Sequence, residues 1–274
     1  MSDTQTQPTP GQAKTRRPTR LIVGAVVAVV ALFIVAVLVG QQSAAAPKPP
    51  GPEVGTQQNV PLPANIASLP LVDEYGKTVN LASFKGKVVV MTDFLTTCQE
   101  ICPITTAVLS QMDQAVAKAG LADKVQFVDI SVDPARDDPA RLHAYRDFAK
   151  LQPNWTLLTG KQENLDTLFK YFGISYQKLA EGDPPGIDWL TGKPLTYDVG
   201  HSDVVVFLDQ QGNQRFIMQG APLGSNVPLT DGERTFLNDE GKSNLTNASD
   251  ASWTGDQGLQ VVSWLAKKQI HATS

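Results

Sequence analysis

Lys87 to Leu95 (KVVVMTDFL) constrains the fold more than any other stretch. It is a nearly continuous β-branched and aromatic run, the pattern of a strand buried on both faces. Such a strand lies inside a sheet with helices packed on each side, so the chain reads as α/β. The residues after it agree. Pro103 suits the first turn of a helix, where its missing N–H is no loss. Ile104, Val108, Met112, Ala115 and Ala119 then keep a helical period up to Gly120. Lys124 to Val132 (KVQFVDISV) is a second buried strand, closed by Asp133 and Pro134. Asp138-Pro139 opens a second helix through about Leu151, Trp155 to Leu158 is a short strand, and Glu163 to Phe172 is a third helix.

The flanks complete the pattern. Leu69 to Val72 and Thr78 to Leu81 read as a hairpin around the turn at Asp73–Gly76. Val204 to Asp209 and Arg215 to Gln219 form a second hairpin. Gly258 to Lys268 is a closing helix with Leu259, Val262 and Leu265 facing inward. Residues 174–200, with Asp183-Pro-Pro-Gly186, suggest an excursion from the core, and the polar stretch 221–255 reads as a surface loop. Strand–helix–strand–helix, then a hairpin and a last helix, is the thioredoxin-like α/β plan. It implies parallel pairing through right-handed crossovers and an antiparallel edge.

The N-terminal region has a different character. Leu21 to Gly40 is an uncharged run of 20 residues, enough for a helix to cross a hydrocarbon core of about 30 Å. Lys14, Arg16, Arg17 and Arg20 precede it, and no further basic residue comes before Lys48, which directs the N-terminus to the cytoplasm. The alternative is a cleaved signal peptide, with Ser43–Ala46 as its cleavage site. No cysteine lies near the segment, so a lipoprotein anchor there is excluded. The expected organisation is a cytoplasmic tail at 1–20, a transmembrane helix at 21–40, a flexible linker at 41–64 and a thioredoxin-like domain at 65–270. That places the chain in the cell membrane as a single-pass protein with an extracytoplasmic domain. Beyond residue 40 it holds 19 of the 23 basic and 26 of the 27 acidic residues, a formal net of −7. Such an acidic domain is a poor binder of nucleic acid.

Cys98 and Cys102 are the only cysteines. A bridge across three residues would add little chain-entropy stabilisation, and a domain this size buries a core without one. Between strand and helix they sit at a helix N-terminus, where the dipole and free N–H groups favour a thiolate. Thiolate is both the nucleophile of disulfide exchange and the metal ligand. The Cys-x-x-x-Cys spacing is one residue longer than the Cys-x-x-Cys of thioredoxin-type redox motifs and suits two sulfurs holding one ion. Soft thiolates select Cu(I), and imidazole suits copper in either oxidation state. His201, just before the strand at Val204, is the candidate third ligand. His143 lies in a helix rich in Arg and Asp, and His271 in the C-terminal tail, so neither is a candidate. Glu100 between the cysteines could tune metal charge or simply face solvent. Asp129 and Asp133 could support the ligands, although Asp133 with Pro134 is better suited to turning the strand end.

These residues together resemble the Sco/SenC family of copper-handling proteins. The resemblance rests on Thr96-Thr-Cys-Gln-Glu-Ile-Cys-Pro103, on Phe127–Pro139, and on Tyr197-Asp-Val-Gly-His-Ser202. It implies copper bound at Cys98, Cys102 and His201, and delivery to the copper-bearing subunit of cytochrome c oxidase, or service as that site's thiol reductant. A copper donor protein would be a further partner. The resemblance also leads one to expect an acid immediately before the histidine, where this chain has Gly200. The reading is therefore a membrane-anchored metallochaperone for cytochrome c oxidase assembly. The alternatives are a thiol-disulfide oxidoreductase using the same cysteines and a peroxide-reducing enzyme, which would want a single peroxidatic cysteine. His201 separates the first two, because disulfide exchange needs no imidazole there.

Overall fold

The computed structural model describes residues 30–33, 46–246 and 252–272. The chain divides into two units, Met1–Ala45 and Ala46–Ser274. In the first, residues 30–33 are helical. The expected tail at 1–20 and the rest of the expected span at 21–40 lie outside the described residues. Among the described residues, no helix is long and apolar enough to cross a membrane.

The second unit is built on an eight-stranded sheet in the order β1-β10-β9-β4-β5-β6-β2-β3. Its centre is β4 (Val88–Phe94) and β5 (Val125–Ser131), every residue of which is buried. They pair in parallel, as do β5 and β6 (Trp155–Thr159). Sheet sides covered by helices account for this unalternated burial. Helix α2 (Cys102–Lys118) links β4 to β5, α3 (Pro139–Phe148) links β5 to β6, and α4 (Gln162–Phe172) comes after β6. Asp138 caps α3 by accepting from the Arg141 N–H, with Pro139 in the first turn. The second flank of β4 is β9 (Val204–Leu208), antiparallel, and then β10 (Asn213–Gln219). Strands β2 (Leu71–Asp73) and β3 (Thr78–Val79) form the other edge, and a C-terminal helix at Gly255–Ala266 closes the unit against α2 and β4. This is the mixed α/β, thioredoxin-like plan expected from the sequence.

Two regions differ from expectation, and a third gives an expected excursion its form. Part of the expected linker at 41–64 is folded: β1 (Thr56–Pro61) pairs with β10, and α1 (Ala64–Ala67) comes next. β1 is an edge strand with little buried side chain, so it carries no apolar alternation to be read. The excursion expected at 174–200 is present and carries, with His201, a second, two-stranded sheet of β7 (Tyr176–Leu179) and β8 (Asp198–His201). The stretch 221–255 is more than a surface loop. It holds α5 (Asp231–Phe236) and α6 (Asp239–Asn244), capped by Thr230 and Asn238, and buries Val227, Leu229, Phe236, Leu237 and Trp253. Those apolar residues are spaced too irregularly for either periodic signature.

Candidate metal centre

Strand β4 delivers the chain to the cysteine loop. Phe94 ends the strand, and Cys98 sits in a turn closed by its N–H donating to the Leu95 carbonyl. Cys102 is the first residue of α2, and its backbone N–H points at Cys98 Sγ, 3.4 Å away. The helix N-terminus thus meets the first sulfur, as the sequence implied. His201 arrives from another direction, at the end of β8. The link is sheet register: β9 lies antiparallel beside β4, with Val205 opposite Thr92. A residue a few positions before β9 therefore returns to the end of β4 from which the cysteine loop leaves. His201 Nε2 lies 3.2 Å from Cys102 Sγ. Among the described residues, Cys98, Cys102 and His201 form a group whose ligand atoms all lie within 4.8 Å of one another. The structure brings together the three residues singled out from the sequence, and both cysteines are free thiols.

Sequence reasoning missed Asp93. It sits in β4, buried, with Oδ2 2.6 Å from His201 Nδ1 and Oδ1 accepting from the Val204 N–H at 3.1 Å. A buried charge needs a partner, so an acid inside an otherwise apolar strand was the available signal. The carboxylate expected beside His201 at position 200 thus comes from a different strand. Asp133, by contrast, does not reach the cluster. It accepts from the Tyr197 hydroxyl at 2.9 Å and pairs with Arg136, whose guanidinium donates to the Tyr197 carbonyl at 2.8 Å. Its contribution is to moor the start of β8. Asp129 is buried elsewhere in β5, and Glu100 accepts from Asn238 Nδ2 at 3.0 Å. His143 and His271 are exposed, the former edge-on to Tyr75.

The two sulfurs are electrostatically unequal. The Cys102 thiol and the His201 ring, acting against burial, hold Cys98 well below the ordinary thiol range. Burial, then the charge on Cys98, push Cys102 well above it. Two thiols this close disfavour a second negative charge, and the first is favoured on Cys98. Burial opposes a charged His201 ring, but the Asp93 carboxylate and the Cys98 thiolate outweigh it and raise the imidazole well above its usual value. In the metal-free cluster a charge on Cys98 and a charge on the His201 ring therefore favour each other.

Two segments outside the core sheet grip the cysteine loop, one between the cysteines and one just before them. Gln99 donates to the Phe236 carbonyl at 3.0 Å, and its own carbonyl accepts from the Asn238 N–H at 3.0 Å. From the other side, the Trp189 indole N–H donates to the Thr96 carbonyl at 2.7 Å. Asp137 fixes Thr96 from below, accepting from its N–H at 3.2 Å and its hydroxyl at 2.5 Å. A cleft of about 310 Å³ opens over Cys98 and His201, lined by Glu100, Glu181, Asp198, Asp203 and Glu240 among others.

A thioredoxin-like α/β unit with two cysteines at a helix N-terminus and a histidine brought beside them, a Cys₂His group that could hold a metal ion, defines a class of thiol-bearing proteins. The SCO1/SenC family profile matches residues 63–222, more than half of the chain, and the chain belongs to that family. It is 31% identical over 162 residues to the SCO1 protein homolog of Bacillus subtilis, covering 58% of this chain and 79% of the relative. Among solved structures it is similar to a SCO1/SenC family lipoprotein from Bacillus anthracis. That match has 29% identity and a TM-score of 0.47, covering 66% of this chain and 95% of that one. It is also similar to Bradyrhizobium japonicum ScoI, solved with copper bound, at 23% identity and a TM-score of 0.47 over 67% of this chain and 99% of that one.

Proposed function

We propose that the protein binds copper through Cys98, Cys102 and His201 and supplies it to the copper centre of cytochrome c oxidase. One observation carries this reading: two sulfurs and one imidazole nitrogen converge within 4.8 Å. The donor set fits the ion, since thiolates favour Cu(I) and imidazole accepts either oxidation state. Membership of the SCO1/SenC family and the copper found in the Bradyrhizobium relative support the same reading. The run at 21–40 would anchor the protein with the domain outside the cell membrane, facing the recipient subunit and a copper donor. Protease added to spheroplasts should then remove the domain; full protection would refute that placement.

A second reading has a specific observation behind it. A lowered Cys98 beside a raised Cys102 is also the asymmetry of a dithiol poised for disulfide exchange. His201→Ala separates the two. Loss of one of three ligands should weaken copper binding by at least about tenfold and impair oxidase maturation, while the dithiol still cycles. Measured copper affinity, dithiol reduction potential and cellular oxidase activity check this. Unchanged affinity and oxidase activity with a shifted potential would favour the exchange reading.

A further inference from the structure

We propose that Asp93 is the positioning residue of the metal centre, holding the His201 imidazole as its Nδ1–H tautomer with the Nε2 lone pair directed at the sulfurs. The inference rests on the copper reading for its consequence, though not for its geometry. Oδ2 lies 2.6 Å from Nδ1, and both side chains are withdrawn from solvent. The other carboxylate oxygen is already committed to the Val204 N–H at 3.1 Å. Because Val204 begins β9 and Asp93 stands in β4, the carboxylate is locked to the backbone pairing of the central sheet. An ionised carboxylate is an acceptor only, so the ring nitrogen facing it must carry the proton. The Ser202 carbonyl also faces Nδ1, but at a longer 3.3 Å. A carboxylate behind a ligating histidine fixes ring orientation and strengthens the nitrogen donor on the far side.

Asp93→Asn is a sharp probe, because the replacement keeps the shape and adds a donor. If its oxygen keeps the Val204 N–H, its NH₂ faces Nδ1. If it flips, NH₂ meets the Val204 N–H, which cannot change tautomer. The imidazole must give way, placing its proton on Nε2, where the metal should bind. Imidazole ¹⁵N shifts of the metal-free protein, recorded above the imidazolium titration, read the tautomer directly. Wild type should show Nδ1–H and D93N a shift toward Nε2–H. Copper affinity, measured by competition with a chromophoric chelator, should fall about 10- to 100-fold in D93N. Dominant Nε2–H in wild type, or D93N with an unshifted tautomer and affinity within about twofold, would overturn the proposal. Should D93N fail to fold, the wild-type spectrum still decides. A wild type with Nδ1–H that takes up no copper would refute the copper reading and leave the positioning role standing.

Discussion

At the scale of single residues, the site depends on inequality between two chemically identical thiols. Cys98 lines the cleft, whereas Cys102 is 3% exposed and packs into the core. With its pKa lowered, Cys98 is a thiolate at pH values where an ordinary thiol is only a few per cent ionised. Its alkylation rate should therefore be nearly flat from about pH 7 to about pH 8, where a normal thiol gains close to tenfold. Peptide mapping after brief iodoacetamide treatment should find the label on Cys98 and spare Cys102. A rate rising tenfold across that interval, or equal labelling, would contradict the assignment. Cys98, Cys102 and His201 could be read from the sequence because their residue types are rare here and their spacing is chemical. For Asp93 the sequence held only the hint of an acid in an apolar strand, and its partner His201 is known only from the fold.

At the scale of elements, the inserted pair α5 and α6 clamps the cysteine loop. Gly241 in α6 is the point of closest approach: a Cβ there would lie 2.3 Å from the Gln99 carbonyl oxygen and 2.8 Å from Leu237 Cδ2. Alanine in a helix interior gains up to about 1 kcal/mol over glycine, but forcing backbone apart costs about 1–3 kcal/mol. The second effect wins. Gly241→Ala should lower stability by about 1–2 kcal/mol and weaken copper binding severalfold by releasing the Asn238 contacts to Gln99 and Glu100. Thermal unfolding and chelator competition measure both. A variant as stable and as tight-binding as wild type would show that the insertion merely lies near the loop. Sequence patterning read 221–255 as a surface loop, because caps and short turns specify local helices and not where they dock.

At the scale of the whole molecule, the price of this sheet is buried acid. Asp129, in the middle of β5, has no hydrogen-bond partner for either carboxyl oxygen among the described residues. Burial, with the charges of Glu74 and Asp93 adding and Trp155 and Arg146 opposing, pushes it to about 8. The folded state thus holds a proton that the unfolded chain releases near pH 4. Stability from this group is complete below about pH 4 and is lost as pH rises through about 8. Asp113 and Asp137, each raised to about 6 mainly by burial, act with the same sign. Asp129→Asn should flatten the decline in stability between about pH 6 and about pH 9, so its advantage over wild type grows with pH. Urea unfolding across that range tests it, and parallel curves for the two proteins would refute it.

The core elements were legible in the sequence because burial on both faces leaves an unbroken apolar run, and α2 because its apolar residues recur with the helical period. The candidate ligand set was legible because few residue types bind soft metals and two of them lie four positions apart. The antiparallel placement of β9 beside β4, the edge strand β1 and the docking of the insertions came only from the tertiary structure. So did Asp93, the carboxylate behind His201. Local chemistry acts between sequence neighbours and leaves a pattern there. Pairing of distant strands is decided by the summed packing of the whole core, and no single segment records it.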